Sequence, residues 1–224
     1  MSKNKRLLLI ILLFLLVVWV FSYAINITQQ ATFSDPNLEL AIRERINKPE
    51  GPLLTSELRY ITTVSAVSLN ITDLRGLENL TNLESLNLAE NNIRDISPLA
   101  SLTNLRTIAL FENQIDDITP LASLDNLSRL HLMRNQIDDI SPLASISKLY
   151  SLVLSENRIT DISSLSSHKS LTNLYLGGNQ ITNISQLVSL SSLEVVGLKR
   201  NPLDSASVNK WIPQLEQRGV KVDW

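Results

Sequence analysis

The sequence predicts an α/β solenoid, with short parallel strands on one face, short 3-10 or irregular turns on the other, and a cap at each end. Three observations predict it. A period of 22 residues runs from about residue 64 to residue 204. Each period contains apolar-x-apolar, and alternate side chains of an extended chain point to opposite faces, so this is a short half-buried strand. One period alone cannot bury enough apolar surface to offset the cost of ordering it, so successive copies must stack and share a core.

The repeat is clearest in Leu86-Asn87-Leu88-Ala89-Glu90-Asn91-Asn92-Ile93-Arg94-Asp95-Ile96, continued by Leu99, Leu102 and Leu105. Adding 22 to each number gives Ile108, Leu110, Asn113, Ile115, Ile118, Leu121, Leu124 and Leu127. The pattern recurs from Leu130, Leu152 and Leu174, and a last copy dissolves after Val196, Leu198, Asn201 and Leu203. With the copy from Val64, this makes about seven. Such a period with this Leu/Asn pattern is the signature of leucine-rich repeats. Asn91, Asn113, Asn135, Asn157, Asn179 and Asn201 form a structural ladder. An amide both donates and accepts, so it pairs backbone groups that a buried bend would orphan. Leu69 replaces Asn in the first copy, where the coil meets a cap. Pro98, Pro120 and Pro142 each follow Ser or Thr and precede Leu. That reads as a cap residue followed by proline at the first helical position, starting one short convex turn.

The ends read as caps. Asp35-Pro36 with Leu38, Ala41, Ile42 and Ile46 predicts an amphipathic helix, ended by Lys48-Pro49-Glu50-Gly51-Pro52. Thr55 to Tyr60 reads as a second short helix. Ser205 to Arg218 has helical spacing, kinked or split by Pro213. Gly219 ends it, and Val220 to Trp224 is a final strand. Trp211 and Trp224 are expected to cover the last coil as cap core. The resulting division is 1–25 for an N-terminal segment, 26–63 for a linker and helical cap, 64–204 for the repeats and 205–224 for the second cap.

Lys3, Lys5 and Arg6 precede 15 consecutive apolar residues, Leu7 to Phe21. Extended to Ile25, the segment makes about 28 Å of helix, near the lower limit for a span. Two readings stay open: an uncleaved single-pass anchor, for which Trp19, Phe21 and Tyr23 suit an interfacial belt, and a signal peptide cleaved after Ala24. Both keep the three basic residues in the cytoplasm and export the rest. The exported part holds 17 basic and 22 acidic residues, a formal charge of −5.

The motif Leu-x-Leu-x-x-Asn-x-Ile-x-Asp-Ile-x-x-Leu resembles that of the internalin-type leucine-rich repeat proteins of bacteria. The resemblance extends to Phe33-Ser-Asp-Pro-Asn-Leu-Glu-Leu-Ala-Ile-Arg43 and Trp211-Ile-Pro-Gln-Leu-Glu-Gln-Arg-Gly-Val220, and covers about residues 33–224. It implies a right-handed horseshoe whose concave strand face binds a protein. Family members often carry a C-terminal cell-wall sorting signal; this sequence shows none, so wall attachment is not expected.

The variable strand positions form two outward columns: Asn87, Ala109, His131, Val153, Tyr175, Gly197, and Ala89, Phe111, Met133, Ser155, Gly177, Lys199. Neighbouring strands stand about 4.8 Å apart, so Phe111, His131, Met133, Val153 and Tyr175 should cluster. No core role explains them, and an exposed aromatic and Met cluster marks an interaction site. Glu90, Glu112, Arg134, Glu156 and Arg200 are expected to form its charged rim.

Asp73, Asp95, Asp117, Asp139 and Asp161 form another column, continued by Asn183. Asx turns explain it better than bound calcium, because the carboxylates per ion are too few. His168 stands where other copies carry Leu or Ile and is expected to be partly exposed on the convex side. Five Asn-x-Ser/Thr matches arise from an Asn- and Ser-rich repeat and are assigned no function.

With 20 basic and 22 acidic residues, the chain lacks the basic excess of a nucleic-acid binder. It has no cysteine, two histidines and no motif with catalytic or metal-ligand spacing, so no enzyme, metal or cofactor is expected. The expected function is protein binding by an exported repeat domain, at the cell membrane or secreted. The alternative is an intracellular leucine-rich-repeat scaffold of the kind that steers phosphatases, against which the Leu7–Phe21 segment argues.

Overall fold

The computed structural model describes residues 13–20 and 29–224. Residues 13–20 are helical with exposed side chains. The rest of the apolar segment and the cleavage site after Ala24 lie outside the described residues. Among the described residues no helix is long and apolar enough to cross a membrane.

The repeats form the solenoid the sequence predicts. Strands β3 (Thr63–Ser65), β4 (Ser85–Asn87), β5 (Thr107–Ala109), β6 (Arg129–His131), β7 (Ser151–Val153), β8 (Asn173–Tyr175) and β9 (Val195–Gly197) lie side by side in chain order. With β10 (Lys221–Asp223) they make an eight-stranded sheet in which every pairing is parallel. Partners from β3 to β9 are 22 residues apart, as in Leu86↔Ile108 and Leu130↔Leu152. The backbone ladder continues past each strand: Leu88 N–H donates to Ala109 O at 2.9 Å, and Asn92 N–H to Ile71 O at 2.9 Å. The repeat Leu and Ile columns point inward as one continuous core, nearly all of it less than 2% exposed.

Each convex turn is one short 3-10 helix, from Ser97–Ser101 through Ser185–Ser189. The expected Ser/Thr cap is replaced by an aspartate two residues earlier. Asp95, Asp117, Asp139 and Asp161 accept the N–H of Ser97, Thr119, Ser141 and Ser163 at 2.7–2.8 Å, each closing an Asx turn. Asn183 does the same for Ser185. Ser163–Ser167 and Ser185–Ser189 turn without proline, so proline only pre-sets a bend that the aspartate or asparagine already directs.

At the N-terminus, α1 (Pro36–Arg45) starts on Asp35, whose Oδ1 accepts from Asn37 and Leu38 N–H. Its Oδ2 reaches the first coil and accepts from Thr72 and Asp73 N–H, so one carboxylate caps the helix and ties it to the stack. Burial pushes this carboxyl up, but its bonds from the backbone of Thr72, Leu38, Asn37 and Asp73 outweigh burial and hold it below the ordinary value. Leu38 and Ile42 are fully buried. β1 (Gln30–Ala31) pairs antiparallel with β2 (Leu53–Leu54), and the second helix, α2, is shorter than expected, Thr55–Leu58.

At the C-terminus, Ser207–Trp211 is one π-helical turn followed by α3 (Ile212–Gln217). Helical backbone runs unbroken from 205 to 217, and Pro213 follows directly on the wider π turn, in which the Ile212 N–H reaches back to Ser207 O. Trp211 is half-buried against the core, with Lys210 Nζ 4.1 Å from its ring centroid. Trp224 is 52% exposed, not cap core: β10, Val220 and α3 already close the last coil.

His168 also departs from expectation. It is fully buried in the column that holds Leu102, Leu124, Ile146 and Leu190 elsewhere. Its Nε2 lies 3.0 Å from Leu143 O, while Nδ1 has no partner.

Candidate functional site

The inward Leu columns leave the other face of the sheet open. Ala109, His131, Val153, Tyr175 and Gly197 face it in register, one per strand. Phe111 and Met133 stand two residues after the Ala109 and His131 positions and are half-buried. The Phe111 and His131 rings stack, with centroids 4.6 Å apart and 29° between planes. Val153 is half-buried on the next strand. Tyr175 is 39% exposed. Its Cδ1 would lie 3.1 Å from a Cβ on Gly197, so a side chain there would make the ring shift by a few tenths of an ångström.

Burial lowers the pKa of His131 from its ordinary value, and its Nε2 is buried without a hydrogen-bond partner. The neutral ring therefore belongs to the apolar strip with Phe111.

The charged residues pair along the edge of this strip. Arg134 bonds Glu112 at 2.6 Å and Glu156 at 3.0 Å. Arg200 reaches Glu156 at 2.5 Å, skipping one coil, because the intervening position is Gly178. Arg200 first and Arg134 second hold Glu156 below the usual carboxylate range. Glu90 accepts from Ser68 Oγ at 2.7 Å. All five rim residues have left-handed backbone, with φ between 54° and 59°. Their common conformation was not read from the sequence; the signal was Gly178, the one glycine in that column.

Under the rim runs the asparagine ladder. Asn113, Asn135, Asn157 and Asn179 each donate from Nδ2 to a carbonyl of their own coil and one of the preceding coil. Each Oδ1 accepts an N–H of the preceding coil. Asn91 serves the first coil, accepting from Leu69 and Ile71 N–H, so that coil turns without an asparagine of its own at position 69. Asn201 makes the same set of bonds while half-buried.

On the convex side, a cleft of about 330 Å³ is lined by Asp138, Asp139, Asp161 and neighbouring Ser and Thr. The Oδ1 atoms of Asp139 and Asp161 are engaged in their Asx turns. Among the described residues, no group of three or more His, Cys, Asp or Glu could hold a metal ion.

Family models for leucine-rich repeats match residues 61–167, in overlapping pairs of copies, and 147–203. No curated protein matches by sequence. Among solved structures, the internalin InlF of Listeria monocytogenes is 30% identical over 88% of this chain, with a TM-score of 0.81. This chain spans 58% of that protein's length. The internalin InlC2 of the same organism is 32% identical over 86% of this chain and 95% of its own, with a TM-score of 0.66. The leucine-rich repeat protein LIC12759 of Leptospira interrogans shares the fold, at 22% identity over 75% of this chain and 50% of its own, with a TM-score of 0.57. Matching repeat models, an asparagine-laddered parallel stack and a likeness to two internalins over 88% and 86% of this chain make it a member of the internalin-type leucine-rich repeat proteins.

Proposed function

We propose that this is a non-enzymatic extracytoplasmic protein that binds a protein partner through the concave face of its repeats. Leu7 to Ile25 holds it at the membrane, or it is secreted after cleavage behind Ala24. The observation that carries the binding reading is the Phe111–His131 stack on a sheet whose other face is already filled. Nothing in the fold needs an aromatic pair there, and Met133, Val153 and Tyr175 extend it across neighbouring strands. Clustered exposed apolar side chains on a rigid scaffold are the usual anchor of a protein interface. Phe111, His131, Met133, Val153 and Tyr175 would be the contacts, and Glu90, Glu112, Arg134, Glu156 and Arg200 the surrounding rim. Export is supported by the apolar segment behind Lys3, Lys5 and Arg6.

A photo-crosslinking residue at Val153, compared with one at the exposed convex residue Ala144, tests the face on intact cells. Protein adducts from 153 and none from 144 are expected; equal adducts from both would defeat the assignment. Phe111→Ala with Tyr175→Ala should abolish the adducts at unchanged melting temperature. Protease added to intact cells should digest the repeats or find them in the medium; recovery in the soluble cytoplasm would favour the intracellular scaffold.

A further inference from the structure

We propose that the N-terminal cap docks on the lipid headgroups of the membrane that anchors it, through Arg59 and Tyr60. This rests on the anchor reading above. Three residues, Asn26 to Thr28, separate Ile25 from Gln29, the first residue of the cap. From Ile25 to Gln29 a fully extended chain reaches about 14 Å, so an anchored Ile25 keeps the cap near the interface without itself fixing which face of the cap meets it.

The cap presents a suitable group where the chain enters it. Gln29 O accepts the Thr55 N–H at 2.7 Å, which sets the entry point beside α2. Gln29, Ser56 and Arg59 line one shallow cleft. Next to it Tyr60 is 74% exposed, more than any other large apolar side chain among the described residues. Its neighbours Leu58 and Ile61 are core, so packing does not call for an aromatic ring at 60. Arg59 lies over the ring at 4.9 Å and donates from Nη2 to Tyr60 Oη at 2.8 Å. An amphipathic ring paired with a guanidinium suits the headgroup layer: the ring takes the interfacial depth and the fork of N–H groups takes phosphate. Nearby carboxylates are occupied, Glu57 by Lys48 at 2.7 Å and Glu78 by the Gly76 N–H at 2.7 Å. Seven strand steps of about 4.8 Å then carry β10 roughly 34 Å along the stack, away from the lipid, with the concave face open.

The full-length chain in nanodiscs of phosphatidylethanolamine and phosphatidylglycerol tests this. The chain has no cysteine, so one introduced cysteine carries a unique fluorophore. Ser56→Cys places it beside the pair, Ser205→Cys at the opposite cap and Val17→Cys in the apolar segment. A headgroup nitroxide should quench the label at 56 and spare 205, and adding Arg59→Glu with Tyr60→Ser should remove the quenching at 56. Quenching at 56 that survives the double substitution overturns the docking. So does its absence there while an acyl-chain nitroxide quenches the label at 17, and in that case the anchor stands. A label at 17 untouched by the acyl-chain nitroxide overturns the anchor, and the docking with it.

Discussion

Replacing Asn135 by Ala should destabilise the stack more than the same change at Asn201. Asn135 Nδ2 donates to Leu110 O at 3.0 Å and Leu132 O at 3.1 Å, and its Oδ1 accepts the Ile115 N–H at 3.0 Å. Truncation orphans the Ile115 N–H in a dry interior, while Leu110 O keeps its bond from Asn113 Nδ2 and Leu132 O its bond from Asn157 Nδ2. At about 1–3 kcal/mol for the orphaned N–H and about 0.5–1.5 kcal/mol for each of the two lost Nδ2 bonds the loss is about 2–6 kcal/mol, against a total stability of about 5–15 kcal/mol for a typical domain. Asn201 makes equivalent bonds at 2.8–3.1 Å but is half-buried, so water can replace its amide. There the expected loss is about 1–3 kcal/mol. Urea titration of residues 29–224, followed by far-ultraviolet circular dichroism, reads both. Equal losses, or a loss below about 1 kcal/mol at Asn135, would refute the reasoning that the ladder holds the turns by satisfying buried backbone.

Three further outcomes are expected. His168→Leu should stabilise the protein by about 1–2 kcal/mol in the same titration: it removes the orphaned Nδ1, while Leu143 O keeps its bond from the Ile146 N–H. Asp35→Ala should cost about 2 kcal/mol through the lost cap and inter-element bonds. Because the folded Asp35 pKa is lowered, its contribution is present above the ordinary 3.8 and disappears as pH falls through the folded value, so acid unfolding should lose this component in Asp35→Ala. His131 should titrate, by nuclear magnetic resonance, below its ordinary 6.5. The folded state holds that proton less firmly than the unfolded chain, so its contribution is intact above 6.5 and is lost as pH falls through the folded midpoint; His131→Gln should abolish it.

What was legible in the sequence is whatever the period repeats. The Leu and Ile columns, the strands and the turns face one constraint in every coil, so each copy corroborates the others. The N-terminal cap was legible because Asp35-Pro36 states a helix start in local chemistry. Features set by a single contact were not. His168 looks polar in the sequence, yet its place in the column puts it in the core, where Leu143 O takes one ring nitrogen. Trp224 looks like a cover, but the coil is closed before the chain reaches it. The two-residue β1 and β2 have no periodicity to read, since their pairing depends on how the cap folds back. Ser and Thr before proline looked like caps because those residues do cap helices; the stacked aspartates sit two residues earlier and bind the Ser or Thr N–H itself.

The rim shows how an irregularity in a repeat can matter more than the consensus. A residue at 178 with a side chain would press on Glu156, whose Cγ lies 3.1 Å from the Cβ position, and would crowd the space Arg200 crosses. Glycine lets two arginines share one carboxylate, so Glu112, Arg134, Glu156 and Arg200 form a continuous line with two charges of each sign. Exposed pairs of this kind add little stability. Their effect is to neutralise the border of the apolar strip, so the face we assign to a partner has little long-range field of its own to steer an encounter. Discrimination there falls to the shape and apolar contact of Phe111, His131, Met133, Val153 and Tyr175, the positions at which one coil differs from the next.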